Sequence, residues 1–423
     1  MASCASPAKL RQDGVAKSSA VGNFQGAIDN IERNKKKLYN AGDAFLLEFD
    51  LGLLHHYNEN YRESIRHLAR AAQILEDLYS RSVTNEAASL LTNDNIRPYR
   101  SYPFEIQWLY QTQILNFLAL GDIDGAAVEA RRAQLAVQAL REKEDKKFNE
   151  SGSLQYLRAL TFEWQANSVR MSADDARIAY DFAKRSFGNY VPRQLSQIPE
   201  HEQEIVVIGY AGLSPVLREN KFWGTYAPDG VLFLNYRDAH GRQQTLLLTA
   251  LGLGGPGFSG RTMTIQFAIP QMVERVSQTS KFSVNVNSKP QATETFSSTK
   301  RGLEKDLENG QTTTLIRTAG RVVTRTIAAN KAKDRMQTGN GLVDLLLNIG
   351  TDIGTGALEE ADLRIGSALP STLQIVRIPV EPGKHSVSID VLDHHGRKMG
   401  SSAEQFVNVK KGEKVFLFAP MLR

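Results

Sequence analysis

The stretch LNFLALGDIDGAAVEARRAQ, Leu115 to Gln134, decides how this chain is read. Apolar residues run almost unbroken from Leu115 to Leu120, stop at Gly121-Asp122, and resume at helical spacing as Ile123-x2-Ala126-x3-Ala130-x2-Ala133. Gly121-Asp122 is a tight turn between two paired helices. Small side chains on one face of the second helix let the pair approach closely, and larger neighbours fill the groove beside them.

Three other segments carry the same spacing: Phe24-x2-Ala27-x3-Ile31, Tyr61-x2-Ser64-x3-Leu68-x2-Ala71 and Ala173-x2-Ala176-x3-Tyr180-x2-Ala183. Leu51-Gly52 and His55 precede the Tyr61 segment as a first helix would. This is the pattern of a tetratricopeptide hairpin, with markers more widely spaced than the usual ~34 residues. Stacked hairpins bury a shared core and leave a concave face, the common ligand surface of a solenoid. That face is the expected partner-binding surface.

The loop NDNIRPYRSYPFE, Asn93 to Glu105, interrupts the repeats. Its prolines and aromatics predict an ordered loop. Arg97 and Arg100 flank Pro98-Tyr99, and arginine beside aromatics can stack or fork onto a carboxylate or phosphate. Arg97, Tyr99, Arg100 and Tyr102 are the candidate partner-binding residues. A structural corner, with its arginines on local acids or carbonyls, is the competing reading.

Beyond Pro192 and Pro199, alternation replaces the helical period. Ile205–Ile208, Val231–Asn235, Gln244–Thr249, Thr262–Ile269, Lys281–Val286, Leu373–Ile378, Ser386–Leu392, Gln405–Val409 and Val415–Phe418 read as strands. Residues 297–335 return to a helical pattern, and 341–358 form an apolar, glycine-spaced segment. The expected fold is α+β and multidomain: an N-terminal tetratricopeptide-like α-solenoid, then a β-sandwich-like domain with a helical insertion. Residues 1–14 are a tether, 15–192 the helical repeats, 203–295 and 361–423 the two parts of the sandwich, and 296–360 the insertion. Two separate small β domains are the alternative.

The 423 residues suit two or three domains. With 41% hydrophobic and 23% charged residues the balance is globular. No run reaches the ~20 apolar residues of a membrane helix. A net charge of +5 is too mild to argue for nucleic acid, and none is expected as a partner. The single cysteine, Cys4, excludes an internal disulfide and a thiolate metal cage. It follows Met1-Ala2-Ser3, like the end of a bacterial lipoprotein signal without its charged and hydrophobic parts. A truncated gene start would account for their lack. Lipidation is expected at Cys4, and Ala5-Ser6 after it favours the outer membrane in the enterobacterial sorting pattern. Acyl chains hold a protein at a membrane at ~0.8 kcal/mol per buried methylene.

No reaction chemistry emerges. Gly255 to Thr262 nearly spells a phosphate loop, but alternation, not a helix, follows it, so no nucleotide is expected. His55-His56 point ~100° apart on a helix, and His394-His395 sits in a turn near only Asp390 and Asp393. No catalytic residue, metal or cofactor is assigned. Arg317, Arg321 and Arg325 lie on one side of a helix, a basic face for anionic lipid or an acidic partner if it is not simply solvated.

Three segments together resemble a bacterial family of tetratricopeptide-containing lipoproteins: NDNIRPYR…FE with LNFLALGDIDGAAVEARRAQ, IVVIGYAGLSPVLRE (Ile205 to Glu219), and ADLRIGSALPSTLQIVRIPVEPGKHSVSIDVLD (Ala361 to Asp393). The family has no established catalytic residues. Its members are often encoded beside outer-membrane lipoproteins that activate penicillin-binding proteins. The chain departs from it at Ser101-Tyr102, where Gly-Glu is usual, and lacks a tryptophan after Asp362-Leu363-Arg364. The resemblance implies an envelope role by association. With Cys4, the helical repeats and the lack of reaction chemistry, the expectation is a non-enzymatic, periplasm-facing outer-membrane lipoprotein that scaffolds or regulates an envelope assembly, such as peptidoglycan synthesis, through protein partners. A subunit of a periplasmic secretion or motility machine, and a hydrolase with a site in the β half, are the alternatives.

Overall fold

The computed structural model describes residues 6–81, 97–143, 151–166, 172–187, 203–227, 229–238, 241–249, 262–336 and 360–423. The chain is mixed α/β, helical in its N-terminal half and built on β-sheets thereafter. Helices pair in sequence as antiparallel hairpins: α1 (Pro7–Ser19) with α2 (Phe24–Leu38), α3 (Ala44–Tyr57) with α4 (Tyr61–Arg81), α5 (Pro103–Ala119) with α6 (Ile123–Lys143), and α7 (Gly152–Gln165) with α8 (Ser172–Phe187). A 3₁₀ turn, Ala41–Asp43, precedes α3.

The small markers Ala27, Ser64, Ala126 and Ala176 all fall on second helices and are buried. Their role is close approach. A Cβ added to Gly52 on α3 would lie 2.5 Å from Leu68 Cδ2 on α4. At the turn between α5 and α6, Gly121 takes a positive φ of 69°, where a side chain is strained.

The strands form three sheets. In the first the order is β13 (Lys414–Met421), β1 (Glu204–Leu213), β9 (Pro370–Pro379), β8 (Glu294–Ser298), with β13 parallel to β1 and the other pairs antiparallel. In the second it is β11 (Lys398–Ser401), β10 (Gly383–Leu392), β6 (Lys281–Val286), β7 (Lys289–Ala292), and β12 (Gln405–Val409) also pairs with β10. One face of the first sheet packs on the second through Ile205, Val207, Phe282, Val284, Ile378 and Ile389. The other packs on the helices through Val206, Ile208, Tyr210, Ile375 and Phe416. Alternation along β1 thus serves two cores at once.

The third sheet, β4 (Gln243–Leu248), β3 (Leu232–Arg237), β2 (Val216–Tyr226), β5 (Met263–Val273), is antiparallel: β2, β3 and β4 follow one another as hairpins, and β5 returns to lie beside β2, the order of a Greek key. It lies on the 38-residue helix α9 (Thr299–Met336), where Ala319, Val322 and Val323 meet Phe222, Leu234 and Phe267. Residues 203–295, expected to serve a single sandwich, are therefore divided among three sheets. The helix α9 sits between β8 and β9, which are hydrogen-bonded neighbours, so the insertion enters and leaves through adjacent strands.

Candidate functional site

The first helices of the second, third and fourth hairpins, α3, α5 and α7, are buried nearly all round. In α5, residues Phe104 to Asn116 and Leu118 are all interior. The second helices cover one side of them, and the chain's own first sheet covers the other. His56 meets Phe418 and Tyr210 edge-on at 4.9 and 5.4 Å between ring centroids, and Trp164 stacks on Phe416. The helical face expected to receive a partner is thus occupied by β1, β9 and β13. The signal that could have indicated this was α3, whose large apolar residues Phe45, Leu46, Leu47, Phe49, Leu51, Leu53 and Leu54 fall on every side: a helix hydrophobic all round is covered all round.

Two buried polar assemblies fasten this interface. In one, Tyr210 donates to His56 Nε2 (2.6 Å), His56 Nδ1 to Asn116 Oδ1 (2.7 Å), Asn116 to Ser64 Oγ (2.8 Å) and Ser64 to the Gly52 carbonyl (2.7 Å). Each donor meets an acceptor with the imidazole neutral, and burial depresses the His56 pKa from 6.5 to about 4. In the other, Arg377 reaches Glu163 at 2.7 Å and also binds Glu204, while Lys414 reaches Glu163 at 2.9 Å and shares Glu204. Two cations on the sheet thus face two carboxylates in a largely dry contact between α7 and the sheet.

The quartet singled out in the Asn93–Glu105 loop is split. Tyr99 is buried, donates to Glu105 Oε2 at 2.6 Å and lies under the Arg364 guanidinium. The Arg97 carbonyl accepts from Arg364 at 2.9 Å, and its side chain is half-buried. Tyr102 donates its N–H to Glu105 Oε2 (2.9 Å) and is partly buried against Phe104. Arg100 alone is exposed. Gly366 N donates to the other Glu105 oxygen at 2.7 Å, and burial pushes the Glu105 pKa up to about 7 against the four donors that hold it down.

Just before β9, segment 362–369 therefore locks onto the helices, and two of the three stretches that carry the family resemblance meet there. Asp50 accepts from the backbone N–H of Ser367 and Ala368, and fully buried Arg11 donates to Ser367 Oγ and the Leu38 carbonyl. This replaces the expectation that Tyr99 is a contact residue for another protein. Its ring and hydroxyl are consumed within the chain.

The arginine row on α9 is also uneven. Arg317 is exposed, Arg325 half-buried, and Arg321 buried with a guanidinium nitrogen 3.4 Å from Thr318 Oγ1. Cys4, the linker at 192–202, the glycine loop from Gly252 to Arg261 and the apolar segment 341–358 lie outside the described residues. His55 stacks on His67, which pairs with Glu48 at 2.7 Å, and His394 Nε2 donates to the Ser277 carbonyl. Among the described residues no three His, Cys, Asp or Glu side chains converge as metal ligands.

Among the described residues an apolar concavity lies on the opposite side of the helices. A cleft of about 610 Å³ opens between α4 and α6, with α5 as its floor. Leu75, Tyr79, Ile106, Tyr110, Leu135 and Leu140 line it, and Arg132 and Glu76 stand 3.7 Å apart at its rim. Across α6 a second hollow of about 400 Å³ lies towards α7 and α8, lined by Phe162, Ile178 and Phe182 and sharing Leu135. Leu135 is 67% exposed and Val128 55%. Leu135 thus stands exposed on the crest between the two hollows, beside Arg131 and Gln138. No helix among the described residues is long and apolar enough to cross a membrane. No protein-family model, curated protein or solved structure matches the chain.

Proposed function

We propose that the chain is a non-enzymatic, periplasm-facing bacterial lipoprotein, held at the outer membrane through Cys4, that docks a protein partner of an envelope assembly on its helical half. In this reading the helical hairpins are tetratricopeptide-like, and the two packed sheets are a β-sandwich-like module. The observation that carries it is the apolar cleft on the outer side of α4, α5 and α6, with Leu135 exposed on its crest. A groove of that size takes apolar side chains of an amphipathic helix, and the Arg132–Glu76 rim offers polar partners beside them. An exposed leucine continuous with an apolar cleft fits a surface used for protein interaction.

The resemblance to envelope lipoproteins supports the compartment, and the buried inner face supports the choice of groove. A photocrosslinking residue at position 135 should capture a discrete envelope protein in cells, and Ala139→Arg, which fills the cleft, should abolish that capture with the fold intact. Capture unchanged by Ala139→Arg, or none at position 135, would remove the cleft from the function.

A further inference from the structure

The hairpins stack with a common polarity. Tyr99 N donates to the Gly42 carbonyl and Ser151 N to Gln107, which places the starts of α3, α5 and α7 along one edge. Arg11 reaches Leu38 O, and Gly14 lies against Asn30, so the start of α1 stands beside the end of α2 at that same edge. Helix-end charges differ between the two edges, although Lys17 at the end of α1 and Arg62 at the start of α4 stand at the opposite one. The last turn of α2 carries Lys35, Lys36 and Lys37, and that of α8 carries Lys184 and Arg185. At the opposite edge Glu63, Asp124, Asp174 and Asp175 stand in first turns.

Cations at helix ends answer the macrodipole, but a dipole does not call for three consecutive lysines. The three follow Asn34, whose non-helical φ of −113° bends the last turn of α2. Lys9 and Arg100 add two more exposed cations at this edge. Among the described residues Lys9, Lys35, Lys36, Lys37 and Arg100 make no ion pair, whereas Arg33 one turn back pairs with Asp29. Cys4 stands two residues before Ser6, whose Oγ accepts from Lys9 N to cap α1. An extended chain spans at most ~3.6 Å per residue. Acyl chains on Cys4 would therefore enter the lipid within about 7 Å of Ser6, beside this basic edge.

We infer that the edge formed by Lys9, Lys35, Lys36, Lys37 and Arg100 docks on an anionic bilayer, with lipid phosphates facing the five cations. The inference deepens the reading of Cys4 as the anchor, since acyl chains alone would leave the molecule free to tilt, and the cations fix which side meets the membrane. Each lysine near an anionic surface contributes about a five-fold gain in partition, screened by salt.

The full chain carrying Cys4→Ser removes acylation from the measurement. It should sediment with vesicles of equal phosphatidylglycerol and phosphatidylcholine, not with phosphatidylcholine alone, and should be released at about 0.5 M salt. Combined Lys35→Glu, Lys36→Glu and Lys37→Glu should weaken that binding at least about 100-fold with an unchanged thermal melt. Combined Arg317→Glu and Arg325→Glu should leave it intact. The inference fails if the Cys4→Ser chain ignores phosphatidylglycerol vesicles, if only peptidoglycan sacculi retain it, or if the α9 changes rather than the α2 changes abolish binding. Mass spectrometry of Cys4 from cell membranes tests the anchor separately. An unmodified cysteine with intact vesicle binding defeats the anchor and keeps the basic edge, and the reverse outcome defeats the edge alone.

Discussion

His56 and Glu105 are both buried where the helices meet the β half, near opposite ends of α5, and their titrations oppose one another. Folded His56 takes a proton only near pH 4, against 6.5 in the unfolded chain. Between those values the unfolded state holds the extra proton, so stability is lost as pH falls. Glu105 is raised from 4.5 to about 7. Its contribution is complete below its unfolded value and is lost as pH rises through about 7. Each shift is worth roughly 3 kcal/mol at most, and across pH 5 to 7 the two largely cancel. The parent protein should therefore show a nearly flat unfolding free energy over that range in urea titrations. His56→Gln should leave the Glu105 slope, losing about 2 kcal/mol from pH 5 to pH 7. Glu105→Gln should show the reverse slope on top of a fixed cost of about 1–3 kcal/mol for disturbing its four donors. Parallel profiles for the two variants would mean that neither group is held as described.

At the scale of elements, two contacts decide whether helix meets helix and helix meets sheet. Gly52→Ala places a methyl against Leu68 where α3 and α4 are closest, and overpacking of this kind costs about 1–3 kcal/mol. Arg377→Met removes a buried cation shared by Glu204 and Glu163. Leaving Glu204 short of its partner should cost about 3–5 kcal/mol, far more than Arg397→Met at an exposed pair with Asp393. A thermal melt in which the two arginine variants shift equally would show that the buried cluster is not dry.

The hairpins were legible because the spacing of small residues is local and marks the second helix of each pair. Strand β2 was not, because Arg218-Glu219-Asn220-Lys221 hides an alternation that appears only against β5. The union of Glu105 with Gly366 was equally hidden. Those residues lie 261 positions apart, and nothing local to Tyr99 says whether its hydroxyl meets a solvent-borne partner or a carboxylate six residues on. The basic edge was missed for a third reason. Lys35–Lys37 reads as one solvated helix end until hairpin polarity places it beside α1 and the 97–100 loop.

For the whole molecule, the first sheet has no solvent face: Val206, Ile208 and Tyr210 enter the helical core while Ile205, Val207 and Ala211 enter the core shared with the second sheet. The helical half and the β half are therefore parts of one folding unit rather than beads on a linker. Segment 362–369 reinforces this, because it reaches Arg11, Asp43, Asp50 and Glu105 across more than half the chain length. Removing residues 1–192 would bare one apolar face of the sheet together with Arg377 and Lys414, now facing water on one side and Glu204 on the other. Exposed sheet faces of that kind drive association. The fragment 203–423 should accordingly be recovered as aggregate, and the fragment 6–192 should be soluble only as an expanded state that binds a hydrophobic dye. In the full chain, helical far-ultraviolet dichroism and near-ultraviolet tyrosine signals should melt at one common midpoint. Two separated transitions, or a well-folded monomeric 203–423 fragment, would mean that the helices merely rest on the sheet. The inner face could then open to a partner after all, and the outer cleft would lose its claim to be the docking site.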